Sequence, residues 1–222
     1  MAVSKATVAK AKTNYLPLLP ALLPVEADPL AFIAVIAVEA GGDGIDARYN
    51  RPIIRFEVHK FYELHGYVNR PAFDQRFKFN PSKKWMDHYY TTPMAPNTWI
   101  QLHIGTRDHS QTHEWYAMNV AMQLDAAAAP KAIESCSWGA GQIMGFHWKR
   151  LGYASPMALM EDASTMAGQI RMMANFVVTD PKLYTALKNK DWTTFARIYN
   201  GSGQVEIYAE WLTAAYAIAT AK

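Results

Sequence analysis

The sequence predicts a mainly α protein with a small β element and a C-terminal helical lobe, and three features carry that prediction. Helix starts recur as an Asp or Ser placed directly before a Pro or an apolar run, at Asp28-Pro29, Ser155-Pro156, Asp180-Pro181 and Asp191. In each, the side-chain oxygen can accept an orphan backbone N–H, and Pro suits the first helical position, where an N–H would have no partner. The run after Asp28-Pro29, LAFIAVIAVEA, is apolar on every face and is stopped by Gly41-Gly42, so it is expected to cross the core. The β element is expected in RPIIRFEVH, Arg51 to His59, whose first part is rich in β-branched residues, while its continuation VHKFYELHG suits a helix equally well.

The rest of the chain follows in order. Residues 1–27 are basic and punctuated by Pro17, Pro20 and Pro24, and are expected to form a partly ordered arm; 28–222 is expected to be a single domain. Residues 68–111 carry prolines at 71, 81, 93 and 96 among aromatic and basic side chains, the pattern of an irregular inserted lobe or cleft wall. Helical periodicity runs from His113 to Ala129, and Ser137 is expected to cap a segment WGAGQIMGFHWKRLG. Another helix is expected to open near Asp162 to Ser164. The last runs from Gln204, with Tyr208, Trp211, Leu212 and Ala215 spaced as a core-facing stripe.

Composition narrows the function classes. With 222 residues, half of them apolar, the chain can bury a core of its own. A net charge of +3 lacks the dense basic patch that nucleic-acid binding needs and gives only a weak preference for anionic surfaces. The prolines in 16–24 break the one N-terminal apolar stretch, so neither an export signal nor a stable membrane insertion is expected. Cys136 is the only cysteine, which excludes an internal disulfide and reads as a small buried hydrophobe. There is no phosphate-binding loop, nucleophile elbow or dinucleotide fingerprint. His109 and His113 are spaced for one helix face, but HSQTHE is not the HExxH motif and offers no third ligand, so no metal and no cofactor is expected.

Chemistry is expected instead at Glu39, a carboxylate closing a wholly apolar helix. Such a group is paired, protonated or simply reaching solvent; if desolvated, its pKa rises and it can give a proton to a glycosidic oxygen. A second carboxylate would act as nucleophile or as base for water. Asp43 and Asp46 in the turn GGDGID and Glu57 in the possible strand are the candidates, each with a plainer reading in turn formation or charge pairing. The segment SCSWGAGQIMG offers Ser137 and Gln142 among glycines that permit close approach, and IYNGSG offers Tyr199 and Asn200 at a helix end.

The order of these pieces, a glutamate at a helix end, then Gly-Gln-Ile, then Tyr-Asn, resembles the goose-lysozyme and soluble-lytic-transglycosylase superfamily. VEAGGDGI, RPIIRFEVHKFYE, SCSWGAGQIMGFHWKRLGY and DWTTFARIYNG together resemble the phage-type N-acetylmuramidase domain of endolysins, from about Leu30 to Tyr216. The resemblance implies a lysozyme-like α+β fold, Glu39 as catalytic acid, and Gln142, Ile143, Met144, Tyr199 and Asn200 lining a saccharide cleft. The chain departs from the family at Ala140-Gly141, where a bulkier pair is usual, and resembles it least from Phe73 to His109. The implied activity is hydrolysis of the β-1,4 bond between N-acetylmuramic acid and N-acetylglucosamine in peptidoglycan glycan strands, causing bacterial lysis. The resemblance further implies a monomer made in the host cytoplasm and released through a holin-type pore to the periplasm or cell wall. Alternatives are a lytic transglycosylase, a non-catalytic wall-binding or virion structural module, and a zinc amidase or peptidase on His109 and His113.

Overall fold

In the computed structural model, which describes residues 3–221, helices dominate and the strands are short. The first two residues and the last of the ranges expected above lie outside the described residues. The chain divides into two compact units: Met1–Ile53, Gly139–Ile143 and Asp162–Lys222 form the first, Ile54–Trp138 and Met144–Glu161 the second.

The first unit is built on the apolar helix, Pro29–Ala40. Asp28 caps it by accepting from Leu30 N at 2.9 Å, and Gly41 ends it at φ 62°, as the flanking residues predict. Phe32, Ile33 and Ile36 are fully buried, each contributing about 2 kcal/mol of transfer free energy. The helix packs against Val205–Thr220 and Lys5–Tyr15. On Val205–Thr220 the buried positions are Val205, Ala209, Leu212, Ala215 and Ala219, so the stripe is rotated from the expected one and leaves Tyr208 and Trp211 partly exposed. Met166–Val178, Pro181–Asn189 and Trp192–Tyr199 complete the lobe, capped by Thr165, Asp180 and Asp191.

The N-terminal segment departs from the expected arm. Ser4 and Thr7 form a capping box for Lys5–Tyr15, which buries Val8, Ala11 and Tyr15. Its backbone lies so close to the turn after Glu39 that a Cβ on Gly42 would meet Thr7 O at 2.3 Å, and Asn14 Nδ2 donates to Gly42 O at 3.3 Å. Basic residues on the outer face hid an apolar stripe on the inner one.

In the second unit, Ile54–Phe56 pairs antiparallel with Cys136–Trp138, and the chain continues into the short helix Val58–Phe61, so both readings of RPIIRFEVHKF are realised in succession. Phe56, Phe61, Phe73 and Phe77 cluster at centroid distances of 5.5 to 6.2 Å. The stretch 68–111 is more regular than its prolines suggest: Phe77–Lys78, Tyr89–Thr92 and Ala95–Gln101 form an antiparallel sheet whose hairpin turns at Pro93-Met94. Pro93 is tolerated because it sits in the connection, and Pro96 because it is the second residue of an edge strand.

Helix Arg107–Met122 begins before His113 and stops short of the alanine run, whose end belongs to Ala128–Glu134. Ser137 caps no helix: it lies in the strand Cys136–Trp138, followed by a turn, the strand Ile143–Met144 and a 3-10 turn, Gly145–His147. Glycines at 139, 141 and 145 favour that strand–turn–strand path over a continuous helix. No helix among the described residues is long and apolar enough to cross a membrane.

Candidate active site

Glu39 occupies the last turn of Pro29–Ala40, partly exposed where the preceding turns are buried. Asn200, the C-cap of Trp192–Tyr199, brings its amide Nδ2 to donate to Glu39 Oε1 at 2.7 Å. Burial pushes the Glu39 carboxyl from its ordinary 4.5 up to about 7, against the opposing pull of that hydrogen bond. The acid therefore holds its proton in a large share of molecules near neutrality, the state a general acid needs. The other amide atom, Asn200 Oδ1, is buried and has no hydrogen-bond partner among the described residues.

Tyr199 precedes Asn200, and its hydroxyl donates to Gly141 O at 2.7 Å. Burial, with the nearby Glu39 charge, pushes that hydroxyl well above its ordinary pKa, so it remains a neutral donor. A Cβ on Gly141 would stand 3.0 Å from Tyr199 Oη and 3.1 Å from the Met173 side chain, so glycine at this departure from the family pattern matches its neighbours here. Gln142 takes a left-handed φ of 49° and folds its amide back to donate to Gly139 O at 2.8 Å. Ile143 is buried.

A residue that sequence reasoning passed over ties these turns together. Gln169 is fully buried; its Nε2 donates to Gly44 O at 3.0 Å and Ala163 O at 2.9 Å, and its Oε1 accepts from Ala140 N at 2.9 Å and Tyr15 Oη at 3.3 Å. Tyr15 Oη in turn accepts from Gly44 N at 2.7 Å. One side chain thus links the turn after Glu39 to the Gly-Ala-Gly-Gln turn. The signal was present in MAGQIRMMANFVV, a glutamine inside an apolar helix, which must find partners when buried.

Each candidate second carboxylate already has partners. Asp43 accepts from Ile45 N at 3.1 Å and pairs with Lys10 at 2.7 Å; Asp46 accepts from Arg48 N at 3.1 Å and faces Arg51 Nε at 3.5 Å. Glu57, Ser137 and Met144 belong to the second unit. There Glu57 Oε1 accepts from Arg55 Nε at 2.8 Å, and its Oε2 lies among imidazoles. Burial pushes the Glu57 carboxyl up, but Arg55, His103, His88 and His59 together outweigh it and hold it below its ordinary value. Ser137 is buried in its strand and Met144 is partly exposed. Cys136 is buried, with its thiol pushed well up.

Against known proteins, residues 28–220 match the family model described as Muramidase: N-acetylmuramidase. Among solved structures the chain is similar to the Burkholderia AP3 phage endolysin, with 27% identity, a TM-score of 0.63, and coverage of 98% of this chain and 70% of that one. A search of curated protein sequences finds no match.

Proposed function

The chain belongs to the N-acetylmuramidase family and has the lysozyme-like fold of a phage endolysin, and we propose that Glu39 is the general acid of its peptidoglycan-degrading reaction. The observation that carries this reading is the carboxyl pushed up to about 7 beside the unsatisfied Asn200 Oδ1. Protonated Glu39 gives its proton to the oxygen of the β-1,4 bond between N-acetylmuramic acid and N-acetylglucosamine as the bond from that oxygen to the anomeric carbon breaks. Water then adds to the cationic sugar and its surplus proton leaves to a base. Asn200 Oδ1 offers an acceptor for a substrate N–H or O–H, and the turn of Gln142 supplies backbone for the glycan. The protein acts as a monomer on the cell wall, reached through a holin-type pore.

Asp43 and Asp46, on the turn that follows Glu39, are the candidates for that base, while Glu57 belongs to the second unit. An inverting reaction calls for a separation of about 6.5 to 9.5 Å from the acid and a retaining one for about 5 to 5.5 Å. A second reading is favoured by the partners that all three carboxylates already hold: a lytic transglycosylase, in which the sugar's own hydroxyl closes on the anomeric carbon and no second carboxylate is needed. Mass spectrometry of glycan fragments from purified walls separates the two. Reducing muramic ends support hydrolysis; ends lighter by one water establish the transglycosylase. Fragmentation that survives Glu39→Gln at the wild-type rate overturns the assignment of the acid in both.

A further inference from the structure

The second unit contains a cluster the glycosidase chemistry does not use. Glu57 Oε2, His88 Nδ1 and His103 Nε2 converge: the two nitrogens are 2.8 Å apart, and the carboxylate oxygen lies 3.5 Å from the first and 3.9 Å from the second. His88 is buried, and the other two are largely so. Glu57 Oε2 is buried with no hydrogen-bond partner among the described residues, while Arg55 occupies only the other oxygen.

The outer faces of the rings fix which nitrogens carry protons. His88 Nε2 lies 2.7 Å from Lys84 O, which can only accept, so that nitrogen is the donor. His103 Nδ1 lies 2.8 Å from Glu114 Oε1, which also receives the His103 backbone N–H at 3.3 Å, so the ring nitrogen supplies the proton there too. A ring that holds its one proton outward turns a lone pair inward, so the two inward nitrogens face each other and a carboxylate oxygen as acceptors. Three acceptors with no hydrogen between them repel unless a cation sits among them.

We propose that Glu57, His88 and His103 bind one zinc-class divalent cation through Glu57 Oε2, His88 Nδ1 and His103 Nε2. Ligands about 2.0 to 2.1 Å from a tetrahedral zinc stand about 3.3 Å from one another, close to the spacing found, and two imidazoles with one carboxylate are a set zinc accepts. A metal-bound histidine typically donates its other N–H to a carbonyl or carboxylate, as Lys84 O and Glu114 arrange here. Water completes the fourth position, because His59 Nδ1, though 3.5 Å from Glu57 Oε2, lies 3.3 Å from Nε2, the outer nitrogen of His88. Glu57 is thereby given to the metal and not to the saccharide. Neither the cluster nor its test depends on Glu39.

The full chain, stripped with chelator and dialysed, is titrated with Zn(II), and with Co(II) as a spectroscopic probe. One Zn(II) per chain by elemental analysis, visible bands of low-symmetry Co(II), and a higher Tm with Zn(II) are expected. Glu57→Gln and His103→Ala lose stoichiometric binding, and Glu114→Gln weakens it about 10- to 100-fold. The double variant His109→Ala, His113→Ala, which removes the other histidine pair, keeps it. Each variant is first shown to be folded by circular dichroism, and Glu57→Gln, nearly the same shape as wild type, serves where the alanine variant does not fold. Absence of one-to-one binding in wild type, or binding unchanged in folded Glu57→Gln, overturns the proposal. So does nitrogen NMR showing one of the two rings as imidazolium in zinc-treated protein, since a proton would then be the cation.

Discussion

Replacing Glu39 by glutamine separates chemistry from stability because the two respond in opposite directions. The glutamine keeps the shape and the oxygen that accepts from Asn200 Nδ2 at 2.7 Å, but has no proton to give. Loss of a general acid costs about 10²- to 10⁴-fold in rate, so wall lysis followed by turbidity or released fragments should fall by about that factor. The stability effect comes from the rise of the carboxyl from 4.5 to about 7 on folding. Between those values the native state binds more protons than the unfolded one, so stability is full below the lower value and is lost as pH rises through the upper. At about 1.4 kcal/mol per pH unit, the wild type should lose about 3 kcal/mol across that window. The amide of the Glu39→Gln variant cannot ionise, so urea titrations should show the wild type losing stability relative to the variant as pH rises from 4.5 to about 7, with the difference constant above that. Wild-type lysis rate should fall later, as pH rises through about 7, where Glu39 of the native protein deprotonates. Parallel stability curves, or lysis by the variant within a few-fold of wild type, would refute the reasoning.

Further outcomes follow from the neighbours. Asn200→Ala removes the hydrogen bond that favours the charged acid, so the alkaline limb of the lysis profile should move to higher pH while the maximal rate falls; an unmoved limb counts against the pairing. Gln169→Leu leaves Ala140 N, Gly44 O and Ala163 O without their partner, at about 1 to 3 kcal/mol for each that stays dry, so a loss of about 2 to 5 kcal/mol in urea unfolding is expected. Gly44→Ala would place a Cβ 1.9 Å from Gln169 Oε1 and 2.5 Å from Ala140 N, and should lower Tm by breaking the same link. Cys136, buried with its thiol pushed up, should resist alkylation in the native protein and react once it is unfolded in urea.

Local signals were legible where a single residue does one job. Asp28, Asp180 and Asp191 announce helix starts because a cap acts within its own turn, and Gly41 announces a stop for the same reason. Glu39 stood out because a charge at the end of an oily helix is costly wherever that helix goes. What the chain brings together from afar was harder to see. The N-terminal helix looked like an arm because its lysines face outward, whereas its value lies in Tyr15, whose hydroxyl accepts from Gly44 N far along the sequence. The hairpin in 68–111 was masked by its prolines, of which Pro93 occupies the turn and Pro96 the start of the edge strand Ala95–Gln101. Glu57, His88 and His103 are scattered through the sequence and share no helical spacing, so only the strand Ile54–Phe56 and the sheet that follows it bring them within reach of one another.

Two polar arrangements in the first unit, one fully buried and one partly exposed, thus have opposite physical characters. Gln169 is saturated: each of its amide atoms has partners, and its contribution is to fix two turns relative to one helix. Glu39 and Asn200 are under-satisfied: one carries a proton it would shed in water, and the other keeps an amide oxygen without a partner among the described residues. A saturated network resists displacement, while an under-satisfied one gains by taking a ligand. The rigid side chain therefore holds the turn on which the reactive one stands. A substrate hydroxyl or amide that satisfied Asn200 Oδ1 would recover part of the free energy that desolvating the acid costs the folded protein. On this argument Asn200→Asp, which keeps the size but puts a second carboxylate against Glu39, should weaken glycan binding and lower stability together, whereas Gln169→Leu should lower stability with a smaller effect on the pH at which Glu39 titrates.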